Sequence, residues 1–84
     1  MSQIAYGREA LKTLARMPAN VAKLICLKVE QYAGDPVSLT NNVKALQGRP
    51  ERLRLRVGDW RVLFSDDGAV VSIIKVAQCG GAYD

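Results

Sequence analysis

The stretch Arg52-Leu53-Arg54-Leu55-Arg56-Val57-Gly58-Asp59-Trp60-Arg61-Val62-Leu63-Phe64 limits what this chain can become more than any other part of it. Its first half alternates strictly between arginine and an apolar side chain, the period-two signature of a strand with one buried face. After only Gly58-Asp59 the apolar pattern resumes, and a two-residue, glycine-led loop fits a type II′ hairpin turn. So short a loop fixes the register. Val57 lies opposite Trp60, Arg56 opposite Arg61, Leu55 opposite Val62, Arg54 opposite Leu63 and Leu53 opposite Phe64. Leu53, Leu55, Val57, Trp60, Val62 and Phe64 then share one side of the hairpin, and Arg52, Arg54, Arg56 and Arg61 share the other. A slip of one residue would mix the two sets.

The other segments must cover that apolar side. Gln3 to Tyr6 reads as a short edge strand. From Arg8 the spacing turns helical, with Leu11, Leu14 and Ala15 on one stripe, and Met17-Pro18 stops the run because a residue before proline resists helical geometry. A second helix follows, with Val21, Leu24, Ile25, Val29 and Tyr32 on its buried stripe, and ends at Gly34-Asp35-Pro36. Val37 to Asn42 reads as a polar connection and Gly48-Arg49-Pro50 as a turn. Beyond the hairpin, Asp66-Asp67-Gly68 makes a loop of two or three residues into Val70 to Val76, a near-continuous apolar run typical of a central strand buried on both sides. The order is strand, helix, helix, connection and three strands, an α+β arrangement. With 84 residues there is room for one core, so residues 1–84 are expected to form a single domain.

Several classes of chemistry are excluded by what is missing. Histidine is absent, which removes histidine-based catalytic triads, imidazole zinc sites and the usual base near neutral pH. Cys26 and Cys79 lack metal-ligand spacing and are expected to be free thiols, and a nucleophilic Cys79 has no histidine to activate it. No metal and no cofactor is implied. No apolar stretch reaches the roughly 18 to 20 residues needed to span a bilayer, and polar Ser2 and Gln3 stand where a secretory leader would turn apolar, so a cytoplasmic protein is expected.

Charge is concentrated. Lys44, Arg49, Arg52, Arg54, Arg56 and Arg61 fall in one segment with only Glu51 and Asp59 for acids, so the whole net charge of +4 resides there. Four arginines on one hairpin face, two directly opposed, repel by a few tenths to about 1 kcal/mol per pair. Such a face is either a solvated surface screened by salt or a seat for a phosphodiester backbone. Its concentration in an otherwise neutral chain favours the second, with Arg56, Lys44 and Lys75 as RNA-phosphate ligands. Taken singly, Lys44 and Lys75 read as solvated lysines. Arginine stays protonated and cannot act as an ordinary base, so any catalytic role is electrostatic. An RNA strand supplies its own nucleophile, the 2′-hydroxyl, which such groups can orient while neutralising a pentacoordinate phosphate. Trp60 falls on the apolar side and reads as core. Tyr83, near the end of the sequence, is either an unattached tail residue or part of the site.

The element order, the Arg52–Phe64 stretch and the tail Gly80-Gly81-Ala82-Tyr83 resemble the RelE/ParE toxin superfamily, and the stretch from Leu46-Gln47-Gly48 to Phe64 resembles its RelE branch. The resemblance implies a four-stranded antiparallel sheet with two N-terminal helices packed on one face. It implies the toxin of a type II toxin–antitoxin system, partnered by a RelB/ParD-like antitoxin. RelE-like members act on the ribosome, cleaving mRNA in the A site without a metal. By position, Arg52 and Arg54 stand where the family holds basic residues near the 2′-hydroxyl, Arg61 at the phosphate-stabilising arginine, and Tyr83 at the tyrosine near the scissile nucleotides. Cys79 departs from the pattern, standing where the family usually has arginine. Loss of one such donor predicts cleavage weakened by about 10²- to 10³-fold. Two other readings stay open, a ParE-like inhibitor of DNA gyrase and a non-catalytic RNA- or antitoxin-binding module.

Overall fold

The computed structural model describes residues 3–46 and 49–78. In chain order these form β1 (Gln3–Tyr6), α1 (Arg8–Arg16), α2 (Ala19–Gly34), a 3-10 segment (Pro36–Asn42), β2 (Val43–Leu46), β3 (Arg49–Val57), β4 (Trp60–Asp66) and β5 (Val70–Gln78). The strands make one sheet in the order β1-β5-β4-β3-β2. The α+β class and the placing of both helices before the hairpin agree with the sequence reading.

The hairpin is as its residues dictate. β3 pairs antiparallel with β4, Val57 opposite Trp60, Arg56 opposite Arg61 and Arg54 opposite Leu63. Gly58 takes φ +57° while no other residue type adopts positive φ among the described residues, so only the first loop position is left-handed, as a type II′ turn requires. Leu55, Val57, Val62 and Phe64 are buried, and Leu53 and Trp60 pack against them. The second loop resolves to three residues, Asp67 to Ala69, with Gly68 at φ +89°. Its acids hold the turn: Asp66 accepts from the Gly68 amide, and Asp67 from the amides of Ala69 and Val70. Those amides, Val70 first, hold the Asp67 carboxyl below its usual range.

Four features correct the sequence reading. The sheet has five strands rather than four, because Val43–Leu46 forms β2, pairing antiparallel with β3. The sheet is also mixed: β1 runs parallel to β5, with Gln3 opposite Val70. On α1 the buried positions are Ala10 and, beyond its end, Met17, with Leu14 partly covered, whereas Leu11 is 53% exposed and Ala15 is exposed. The Gly7 amide donates to the Ile73 carbonyl at 2.8 Å, and a Cβ on Gly7 would stand 2.9 Å from that oxygen. This tether fixes the start of α1 on β5, and Ala10 is the helix residue turned fully inward. On α2, Ile25, Val29, Tyr32 and Ala33 are buried and Val21 is partly so, but Leu24 is exposed.

One core results, drawn from both helices and one face of β3, β4 and β5. Tyr32 meets Phe64 edge to face at 4.8 Å between ring centroids, and its hydroxyl donates to Asp66 at 2.8 Å. Burial, then that carboxylate, push the Tyr32 phenol up to about 12. The Tyr6 phenol is likewise raised, by burial first and then by neighbouring Cys26, which is a half-buried free thiol. No helix of the described residues is long and apolar enough to cross a membrane.

Candidate nucleic-acid interface

Strand alternation places the charged side chains on the face opposite the helices, and the pairings arrange them in rows. One row crosses four strands as Lys44, Arg54, Leu63 and Lys75. The next contains Arg56, Arg61 and Ala77. A third holds Arg52 and Ser65, with Ser72 beyond. Two cation pairs therefore stand directly opposed across strands, Lys44 with Arg54 and Arg56 with Arg61. Each opposition costs a few tenths to about 1 kcal/mol where no anion lies between.

An irregularity brings Lys75 onto this face. Between Leu63 and Phe64 the register shifts: Leu63 pairs with Lys75, but Phe64 pairs with Ile73, leaving Ile74 as the extra residue. The bulge switches the parity of β5, so that Val71 and Ile73 are buried before it and Val76 after it. The expected burial of Val70 to Val76 on both sides is thus corrected: the strand has one covered face, and the bulge moves apolar residues of both parities onto it.

Lys44, Arg54, Arg56 and Arg61 converge on a cavity of about 170 Å³, completed by Asn41 and Asn42. Among the described residues the lining holds four cations and two amides. Arg54 and Arg61 are half-buried while Arg56 and Lys44 are exposed, so the rim is wet and the floor is partly screened from water. A cation held out of bulk water attracts an anion more strongly than an exposed one. Arginine adds a planar fork of donors that matches two phosphate oxygens at once.

The cavity thus gathers four residues singled out in the sequence. Arg52 lies on the same face, half-buried, one row beyond the lining. Lys75 is exposed on that face, two strands from Arg54, and does not line the cavity. Tyr83 and Cys79 lie outside the described residues. Trp60 packs on the helix side, where it borders a separate hollow with Thr13, Arg16, Met17 and Pro18, so the ring is core rather than a stacking platform on the arginine face. Asn41 and Asn42 were not foreseen. The signal for them was β2: once Val43 pairs with Leu55, the residues before it fall beside the arginines.

No protein-family model matches the sequence, and no curated protein matches it. Solved structures do. RelE of a RelE–RelB complex from Pyrococcus horikoshii superposes with a TM-score of 0.80 at 23% identity, over 96% of this chain and 98% of that one. The isolated E. coli RelE toxin gives 0.78 at 19% identity, over 98% and 88%. A YoeB dimer from Staphylococcus aureus gives 0.73 at 12% identity, over 90% and 94%. At these identities the shared property is the arrangement of helices and strands, and by that arrangement this chain has the RelE-like toxin fold.

Proposed function

We propose that this protein is the toxin of a type II toxin–antitoxin pair and that it cleaves mRNA in the ribosomal A site. The observation that carries the reading is the convergence of Lys44, Arg54, Arg56 and Arg61 on one cavity. In the reaction the RNA 2′-oxygen attacks the adjacent phosphorus as its proton departs. The bond to the 5′-oxygen breaks, and that oxygen takes up a proton, leaving a 2′,3′-cyclic phosphate and a 5′-hydroxyl. Arg61 and Arg56 neutralise charge on the pentacoordinate phosphate, while Arg54, with Arg52 beside it, orients the 2′-hydroxyl. Tyr83 is proposed to meet the flanking nucleotides. Rate enhancement comes from position and charge, with the substrate supplying the nucleophile.

The partner is a cognate antitoxin, as in the E. coli RelBE toxin–antitoxin complex. A segment rich in acids that folds on binding would neutralise the cation rows and keep RNA away. Failure of the protein to co-elute with such an antitoxin on size exclusion would refute the pairing.

Primer extension on mRNA held by bacterial ribosomes with an empty A site tests the cleavage. The expected result is cuts that require ribosomes and fall by about 10²- to 10³-fold in Arg61→Ala. Absence of cuts at any protein concentration, in both the parent and Cys79→Arg, would overturn the nuclease reading. Cuts that strengthen in Cys79→Arg would identify residue 79 as an attenuated position in working machinery.

A further inference from the structure

Asn41 and Asn42 line the cationic cavity without adding charge to it. They end the 3-10 segment, which Leu39 anchors in the core at 4% exposure, at a backbone kink with φ −114° and ψ 21°. β2 begins at the next residue. Its pairing of Val43 with Leu55 and Lys44 with Arg54, continued back by one position, brings Asn42 abreast of Arg56. The hydroxyls of the segment are occupied within the turn: Ser38 donates to the Asp35 carbonyl at 2.7 Å and Thr40 to the Val37 carbonyl at 2.8 Å. Among the described residues neither asparagine amide is engaged in such a bond. Both amides are exposed on the cavity rim.

Arginine contacts to phosphate position a strand but carry no information about its bases. An asparagine amide sets a donor beside an acceptor, the pattern that pairs in two bonds with N6 and N7 of adenine. In a single strand that base edge is free to be read. The cavity, at about 170 Å³, is smaller than the roughly 300–1,000 Å³ of sites that engulf a drug-sized ligand. It suits one phosphate with the edge of an adjoining base.

We propose that Asn41 and Asn42 are specificity-determining residues that read the base next to the phosphate held by Arg54, Arg56 and Arg61, and that they select adenine. The inference rests on the cavity being an RNA site, and adds sequence preference to it. The test is fluorescence anisotropy at low salt with labelled short RNA oligomers that differ in one central base, applied to the wild-type protein and to N41A/N42A.

The wild type should favour central adenine by about fivefold or more. In N41A/N42A the oligomers should bind alike, with the salt dependence of wild type, because the phosphate ligands remain. A wild type with no base preference, or a preference that survives in N41A/N42A, overturns the assignment and leaves the RNA site standing. No binding of any oligomer by the wild type overturns the base assignment and the cavity as a site for free RNA, while primer extension on ribosomes still tests the cleavage on its own. The wild-type preference is read without any variant, and both asparagines are exposed, so a folding defect cannot mask the outcome.

Discussion

On the helix-covered side of the sheet Leu55, Val57, Val62 and Phe64 are each 5% exposed or less, whereas one residue along the same strands Arg56 and Arg61 stand opposite each other and line the cationic cavity. The first face is completed by the chain itself, through Ile25, Val29 and Tyr32 of α2 and Ala10 of α1. The second gathers cations in register around a cavity. Identical backbone geometry thus yields a stability surface and a binding surface, separated by the alternation of a strand. Substitutions on the two faces should therefore fail in different ways.

The largest effect is expected at the centre of the covered face. Phe64→Ala should lose about 3–5 kcal/mol, read as a lowered midpoint in urea unfolding, since it removes a ring that is 1% exposed and stacked edge-on against Tyr32. A loss below that of a surface substitution would contradict the packing described. Gly7→Ala comes next, at about 1–3 kcal/mol, because the added carbon meets the carbonyl of Ile73 on β5 and that oxygen also receives the Gly7 amide.

Tyr32→Phe keeps the ring and deletes the hydroxyl that donates to Asp66, at a cost of about 1 kcal/mol near neutral pH. Its pH profile sharpens the comparison. The phenol is raised from its ordinary 10 to about 12 in the folded protein, so its contribution is full below pH 10 and is lost as pH rises through 12. The difference in stability between wild type and Tyr32→Phe should shrink across that window, and a constant difference would rule out the linkage. The smallest change has the opposite sign. Arg56→Gln should stabilise the fold by a few tenths to about 1 kcal/mol at low ionic strength by removing a cation opposite Arg61, while weakening RNA binding. Destabilisation with unchanged RNA affinity would show that the arginine face is structural.

The hairpin and its two faces are legible in the sequence because arginine and aliphatic residues alternate without interruption and a two-residue turn admits one register. The candidate site is legible only as far as that hairpin extends. β2 contributes Lys44 to the cavity, yet Val43–Leu46 is four residues long and becomes a strand by pairing with β3, a long-range preference that local pattern does not carry. Leu11 and Leu24 mislead because apolar spacing describes a stripe around a helix, while its orientation is set by contacts such as the Gly7 tether. Ile74 obscures the sidedness of β5 by shifting its phase midway. Parallel pairing of β1 with β5 depends on residues at opposite ends of the described chain.

That last pairing bears on synthesis. β5 lies between β1 and β4, so Gln3 to Tyr6 has no strand to join until Val70 to Ile73 has left the ribosome. Until then α1 also lacks the strand that receives its Gly7 amide, and the core lacks Val71, Ile73 and Val76. Contacts so distant in sequence form slowly and late. A nascent chain truncated before β5 would hold its arginine hairpin on an unfinished scaffold, so the sheet is completed only when nearly all the described residues have been translated.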